Sequence, residues 1–261
     1  MPEGHLLHRL ARDPAELIGR ETRATSPQGR FAEGAAALDG RRLDAVEAYG
    51  KHLHHRFGGD VGLGLHTHLG MQGKWIRLGA ARPPSPQVRV RLATTDVAWD
   101  LIAPGTCELI DRAVWQELVG SLGPDPLADR PDEERAWKAV TSFPGTVGAA
   151  LLDQSVVAGV GNVLRAESLF RAGIHPSRPA SEIDRETFHR LWAGLVALMA
   201  QSVDDGRIIS APLPAAERAT IAEAEGRMVY KQSTCRACGT PVESRELAGR
   251  TAYACPRCQP R

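Results

Sequence analysis

Apolar positions recur along this chain with two different periods, and the change of period divides it. Over residues 3–18, Leu6, Leu7, Leu10, Ala11, Leu17 and Ile18 fall about 3.6 apart, which predicts a helix. Pro14 clashes with a continuous helical ladder, so the helix kinks or restarts there. After Gly19 the period drops to two. Over 52–57, Leu53, His55 and Phe57 share one face while His52, His54 and Arg56 share the other. Val61, Leu63, Leu65, Thr67 and Leu69 line one face of a second segment, and 88–92 and 97–102 repeat the pattern. Gly58-Gly59 and residues 79–86 supply turns. Short alternating segments with such turns predict an antiparallel β-sandwich or barrel.

Residues 120–132 carry three prolines and read as a linker. Beyond them the period returns to 3.6, predicting helices near 133–142, 146–157, 162–172 and 185–204. In the last of these Phe188, Leu191, Trp192, Leu195, Leu198 and Met199 form one stripe. Residues 205–226, Ala/Glu-rich with two prolines, read as either helix or loop. The expected organisation is α+β: a domain over 1–119 with a leading helix, the linker, a helical domain over 133–224, and a terminal module over 225–261. A length of 261 residues suits two domains with an appendage.

Composition changes the picture little: 43% hydrophobic, 24% charged and a net charge of +1 are ordinary for a globular protein. No apolar run approaches the roughly 18 residues of a membrane span, and His5, His8, Arg9, Arg12 and Asp13 interrupt any signal-like segment. A cytoplasmic protein is expected.

The cysteines change it more. Four of the five fall in the last 27 residues, as Cys235-x2-Cys238 and Cys255-x2-Cys258. Two such knuckles suit a closed tetrahedral zinc site of four thiolates, structural because no ligand position stays open. The residues between them suit a β-hairpin with Arg245 and Arg250 at its tip. Residues 225–261 hold seven Lys/Arg against three Glu, a basic surface suited to phosphate. In 151–167 two helical patterns flank Gly159-Val160-Gly161, and Asn162 opens the second. Exposed N–H groups at such a helix start make an anion seat; helix capping is the commoner use of an asparagine there. At the other end of the chain, removal of Met1 would leave Pro2 with a free secondary amine, a nucleophile able to form an iminium with a sugar aldehyde carbon. Pro2 read alone equally suits a helix start. His52, His54, His66 and His68 alternate on neighbouring strands, as in a catalytic metal site on a barrel.

Met1-Pro2-Glu3-Gly4, Gly50-Lys51-His52-Leu53, His68-Leu69-Gly70-Met71, the stretch 152–176 and the four-cysteine hairpin occur in one order. Together they resemble the formamidopyrimidine-DNA glycosylase / endonuclease VIII family of bifunctional repair enzymes, over almost the whole chain. The resemblance implies an N-terminal β-sandwich, a helix–two-turn–helix and a zinc finger with one structural Zn2+ per chain. It implies Pro2 as the nucleophile on C1′, Glu3 as the proton shuttle, and Lys51 as the strand lysine that contacts phosphate near the lesion and aids catalysis. His68, Asn162 and Arg250 would grip phosphates around a flipped nucleotide, and Met71 would fill the gap it leaves. The partner would be damaged double-stranded DNA, with single-stranded or bubble DNA as a further candidate, bound by a monomer that is nucleoid-associated when acting. Two departures stand out. Leu6 replaces a second glutamate common in the family, and residues 100–107 lack the Arg-Phe pair of the formamidopyrimidine branch. With Gly4 after Glu3, these favour the endonuclease VIII branch and oxidised pyrimidines. Two alternatives are a catalytically impaired DNA-binding protein of the same fold and a histidine-cluster metal-dependent hydrolase.

Overall fold

The computed structural model describes residues 2–58 and 62–261, so Met1, Gly59, Asp60 and Val61 lie outside the described residues. The chain divides into two compact units, Pro2 with Leu7–Ser121, and Glu3–Leu6 with Leu122–Arg261. The leading helix α1 (Gly4–Arg12) stops where Pro14 follows Asp13, and a single 3-10 turn (Asp13–Leu17) completes the segment.

The first unit holds an antiparallel sheet of β1 (Glu21–Thr25), β2 (Arg41–Tyr49), β3 (His52–Phe57), β4 (Gly64–His68), β5 (Lys74–Gly79), β6 (Val88–Ala93), β7 (Val97–Ile102) and β8 (Thr106–Ile110). Their order is β5-β7-β6-β1-β2-β3-β4-β8. β1 is the corner: Glu21 and Thr22 pair with β2, while Arg23, Ala24 and Thr25 pair with β6. The ladders on its two sides are the leaves of the expected sandwich. Leu43, Leu53, Phe57 and Leu65 are buried from one, and Val88, Val90, Leu92 and Leu101 from the other. Each such side chain contributes about 1.5–3 kcal/mol. Two helices, α2 (Ala32–Leu38) and α3 (Arg112–Ser121), complete the unit.

In the second unit the proline-rich stretch is pinned by hydrogen bonds: Gly123 N donates to Gln154 O at 2.8 Å and Ala158 N to Pro124 O at 3.1 Å. The helices are α4 (Glu133–Thr141), α5 (Val147–Ala150), α6 (Asn162–Ala172), α7 (Arg185–Asp205) and α8 (Ala215–Thr220). Asp132 and Asp184 cap α4 and α7 by accepting from Arg135 N and Thr187 N. The stripe read in α7 is buried against Leu164 and Leu169 of α6. Of residues 205–226, Asp205 ends α7 and the rest contain only the short α8 among otherwise irregular backbone.

One helix is much shorter than its pattern predicts. The expected 146–157 helix ends at Ala150. Asp153 Oδ1 accepts from Ser155 N and Oγ, and Gln154 Nε2 donates to Leu152 O and Val160 O. Gln154 Oε1 also accepts from Gly159 N. These side chains satisfy the backbone in turns and so replace the helical ladder. The chain ends in the hairpin β9 (Glu243–Leu247) and β10 (Arg250–Ala254), closed by Ala248 and Gly249, both at positive φ. Arg250 follows this turn as expected. Arg245 is instead mid-strand, paired with Ala252 and donating to Ser177 Oγ at 2.8 Å. Among the described residues no helix is long and apolar enough to cross a membrane.

Candidate functional site

Glu3 is fully buried, and its carboxylate sits on the N-terminus of α6. Oε2 accepts from Gly161 N and Leu164 N, both at 3.1 Å, and Oε1 from Val163 N at 2.9 Å. These are N–H groups that a helix start leaves unpaired, and the positive end of the helix suits a carboxylate. Gly161 is required for this approach, because a Cβ there would lie 2.4 Å from Glu3 Cδ. Gly4 is equally constrained: its Cβ would meet Gly159 Cα at 2.8 Å, and its N–H donates to Gly159 O at 2.8 Å. The anion seat expected for phosphate at the start of α6 is therefore taken by Glu3, and the capping role considered for Asn162 falls to Glu3 as well. Pro2, half-buried, is covalently next to this anchor.

Asn162 is turned toward the hairpin. Its Nδ2 donates to Thr251 O at 3.0 Å, the carbonyl immediately after Arg250, and its Oδ1 accepts from Arg165 Nη2. The exposed Arg250 and the buried Asn162 are thus brought to one place on this unit.

In the first unit, Lys51 is in the two-residue turn joining β2 to β3, not within a strand. The turn starts at Gly50, φ +56°, and is closed by the Tyr49–His52 pair. His52 pairs with His68, so Lys51 and His68 share one end of the sheet. His68 Nδ1 accepts from Gly70 N at 3.1 Å. That bond leaves the proton of the neutral ring on Nε2, as a donor. It also shapes the turn that carries Met71, which is 67% exposed.

The histidine cluster does not converge on a metal. Glu108 Oε1 can only accept, so His66 donates from Nδ1 at 2.9 Å, and its Nε2 accepts from His52 Nδ1, also at 2.9 Å. His54 stacks on Trp115 with ring centroids 4.8 Å apart. Both nitrogens of His66 are spent in a hydrogen-bonded chain. Among the described residues only the four cysteines form a group able to hold a metal, which removes the support for the metal-hydrolase alternative.

Burial holds the histidines neutral: His52 and His55 are each pushed down to about 3, and His54 and His68 are lowered too, burial foremost in every case. The folded state therefore binds fewer protons than the unfolded chain, whose histidines titrate near about 6.5. Their contribution to stability is intact above about pH 6.5 and falls as acid carries the protein toward pH 3. Urea unfolding of the first unit is expected to shift to lower denaturant across this window. His55→Phe, with no proton to take up at that site, should lose less over the same window; an equal loss would contradict this.

The four Sγ atoms lie within 4.8 Å of one another. Cys238–Cys255 and Cys238–Cys258 are 3.5 Å apart, and Cys235–Cys258 is 3.9 Å. A tetrahedron of thiolates about 2.3 Å from zinc has edges of about 3.8 Å, so these residues fit the ion. Thr240 O, accepting from Cys235 N, and Gln259 Oε1, accepting from Cys255 N, brace the two knuckles. Gln259 Nε2 ties the finger to Ile174 O after α6.

A sandwich unit and a helical unit ending in a four-cysteine finger define a class of DNA-repair fold, and comparison with known proteins agrees. Residues 1–102 match the formamidopyrimidine-DNA glycosylase N-terminal domain, 122–212 the formamidopyrimidine-DNA glycosylase H2TH domain, and 232–261 the zinc finger found in FPG and IleRS. Endonuclease 8 1 of Mycobacterium tuberculosis is 40% identical, covering 99% of this chain and 100% of its own. Formamidopyrimidine-DNA glycosylase of Geobacillus kaustophilus is 33% identical over 86% of this chain and 84% of its own. The Lactococcus lactis Fpg, solved in complex with DNA containing an abasic site, shares the fold with a TM-score of 0.81 at 23% identity, covering 99% of this chain and 100% of that one. The chain belongs to the formamidopyrimidine-DNA glycosylase / endonuclease VIII family, enzymes that are DNA glycosylases and abasic-site lyases.

Two features escaped sequence reasoning. Arg165 is buried beneath the hairpin, and Glu167 accepts from Met228, Val229 and Tyr230 N–H and from Ser210 Oγ. Charged residues at positions of α6 flanked by Leu164, Ala166 and Leu169 were the available signal.

Proposed function

We propose that this enzyme removes oxidised bases, pyrimidines above all, from damaged double-stranded DNA and then cuts the strand at the abasic site. The Pro2 nitrogen, freed by loss of Met1, attacks C1′ of the extruded nucleotide; the bond from C1′ to the base breaks and the base leaves protonated. Glu3 passes a proton to the ring oxygen, opening the sugar and leaving an iminium between Pro2 and C1′. Loss of the acidified C2′ proton expels the 3′ oxygen, and a second elimination expels the 5′ oxygen, leaving a 3′ phosphate on the nicked strand. Water then hydrolyses the iminium. Lys51 and His68 from one end of the sandwich, with Asn162 and Arg250 from the helical unit, hold the phosphates; Met71 fills the vacated stack. The proposed domains are 1–119, 133–224 and 225–261 about the 120–132 stretch, in a monomer with one structural zinc ion.

The observation that supports this most is the buried Glu3 carboxylate, held by three amides directly after Pro2. A residue so anchored gives the neighbouring amine a defined place. Borohydride reduction in the presence of abasic DNA is expected to capture a covalent protein–DNA adduct. Absence of the adduct, with DNA binding intact, would leave the binding-protein alternative standing.

Phosphate contacts act alike on every sequence. Arg250→Ala should weaken binding uniformly and lower the salt slope of log affinity by about 0.9. Asn162→Ala, losing no charge, should lower affinity with the slope nearly unchanged. Both should impair single-turnover excision more than binding of undamaged duplex, since holding an extruded nucleotide costs a few kcal/mol. A change only in which base is excised would make either residue a base reader.

A further inference from the structure

Arg165 has the largest side chain among the fully buried residues, at 1% exposure. Its four hydrogen bonds all go to carbonyl or amide oxygens, and none goes to a carboxylate. Nη1 donates to Gly148 O in α5 at 3.4 Å and to Leu247 O in β9 at 3.3 Å. Nη2 donates to Thr251 O in β10 at 3.0 Å and to Asn162 Oδ1 at 2.5 Å. A buried cation with no carboxylate hydrogen-bonded to it is costly, even with the more distant charge of Glu3 in its favour, and needs a reason.

The geometry points to Arg165 as the positioning residue for the phosphate grip formed by Asn162 and Arg250. Two consequences of its bonds support this. A guanidinium only donates, so it forces the oxygen of the Asn162 amide inward and the NH2 outward. One hydrogen of that NH2 is spent on Thr251 O, and the other is left to a phosphate oxygen. The carbonyls of Leu247 and Thr251 also bracket the hairpin turn and Arg250, so one side chain sets both ligands. Burial foremost, with the charge of Arg250 next, holds the Arg165 guanidinium down at about 10. It therefore remains cationic at neutral pH and adds to the field that draws phosphate.

This inference rests on the proposed roles of Asn162 and Arg250, and a double-mutant cycle separates the two. Affinity for an abasic-analogue duplex is measured for wild type, Arg165→Met, Asn162→Ala and the double variant, each checked for zinc content. Arg165→Met is expected to weaken binding by roughly tenfold, the order lost with one good charge-assisted hydrogen bond. In the Asn162→Ala background most of that loss should vanish, whereas a merely structural arginine would give additive losses. The side-chain NH2 resonances of Asn162 in a nitrogen-15 spectrum should show one slowly exchanging proton in wild type and lose that protection in Arg165→Met. Should Arg165→Met fail to hold zinc, Arg165→Lys serves: it keeps the buried cation but cannot make all four bonds, and must show the same non-additivity. Additive losses, wild-type affinity, or an unchanged Asn162 resonance would overturn the inference. If Asn162→Ala and Arg250→Ala themselves left affinity unchanged, the phosphate roles would fail first.

Discussion

Protein carrying extra residues ahead of Pro2 is expected to bind abasic DNA with near-normal affinity, yet neither cut it nor be captured by borohydride. The extension turns the Pro2 nitrogen into an amide, whose lone pair is delocalised and cannot attack C1′. The proposed phosphate ligands, the four-cysteine site and the Glu3 anchor are all untouched by it. Loss of turnover on the order of a thousandfold or more is expected, as for removal of other covalent nucleophiles. Pro2→Gly keeps an amine, a primary one of different basicity and geometry, and should retain partial activity at most. The comparison isolates chemistry from binding: strand cleavage by the extended protein at the normal rate would remove Pro2 from the mechanism.

Removing zinc should have the second largest effect, and on binding first. β9 and β10 bury little of their own: four of the five β9 residues and Arg250 and Thr251 of β10 are exposed. A two-stranded hairpin of this kind is at best marginal alone, whereas zinc contributes about 10–16 kcal/mol of folding free energy in finger peptides. Without the ion the hairpin should lose its order, and Arg250 its place. Arg165 would lose the Leu247 and Thr251 carbonyls, leaving a buried cation undersatisfied. Chelation, Cys238→Ser or Cys255→Ser should each lower affinity for abasic-analogue duplex by about tenfold or more, on the scale of several lost phosphate contacts. Cleavage should fall with it. Metal content by atomic absorption, read beside affinity, checks this; zinc-free protein that binds and cuts as well as wild type would contradict it.

Much of the fold was legible because its signals are local. The two-residue period marked β3, β6 and β7, whose apolar faces are buried as expected. β2 and β8 were not legible: their residues are mostly half-buried along both faces, so no clean alternation is written into them. β5 and α3 carry apolar positions that the pattern reading passed over; in α3 Trp115 alone is buried. Pro14 ended α1 as its ring dictates. The 146–157 pattern misled because apolar residues at helical spacing also pack in turns, once Asp153 and Gln154 hold the backbone there.

The sequence by itself determined the two periods of the chain, its zinc knuckles, its family and the residues proposed for the chemistry. The periods and the knuckles are recorded within short windows, where spacing alone decides which side chains share a face or a metal, and the family in five short motifs spread along the chain. Only the tertiary structure decided what the buried polar groups do. Glu3 takes the seat at the start of α6, 158 residues from Gly161 N. His66 is committed to Glu108, 42 residues on, rather than to a metal. Asn162 and Arg165 turn to Thr251, more than 80 residues away. A buried donor or acceptor must find a partner wherever the chain's path brings one, and that path is set by the packing of the whole unit rather than by any local pattern.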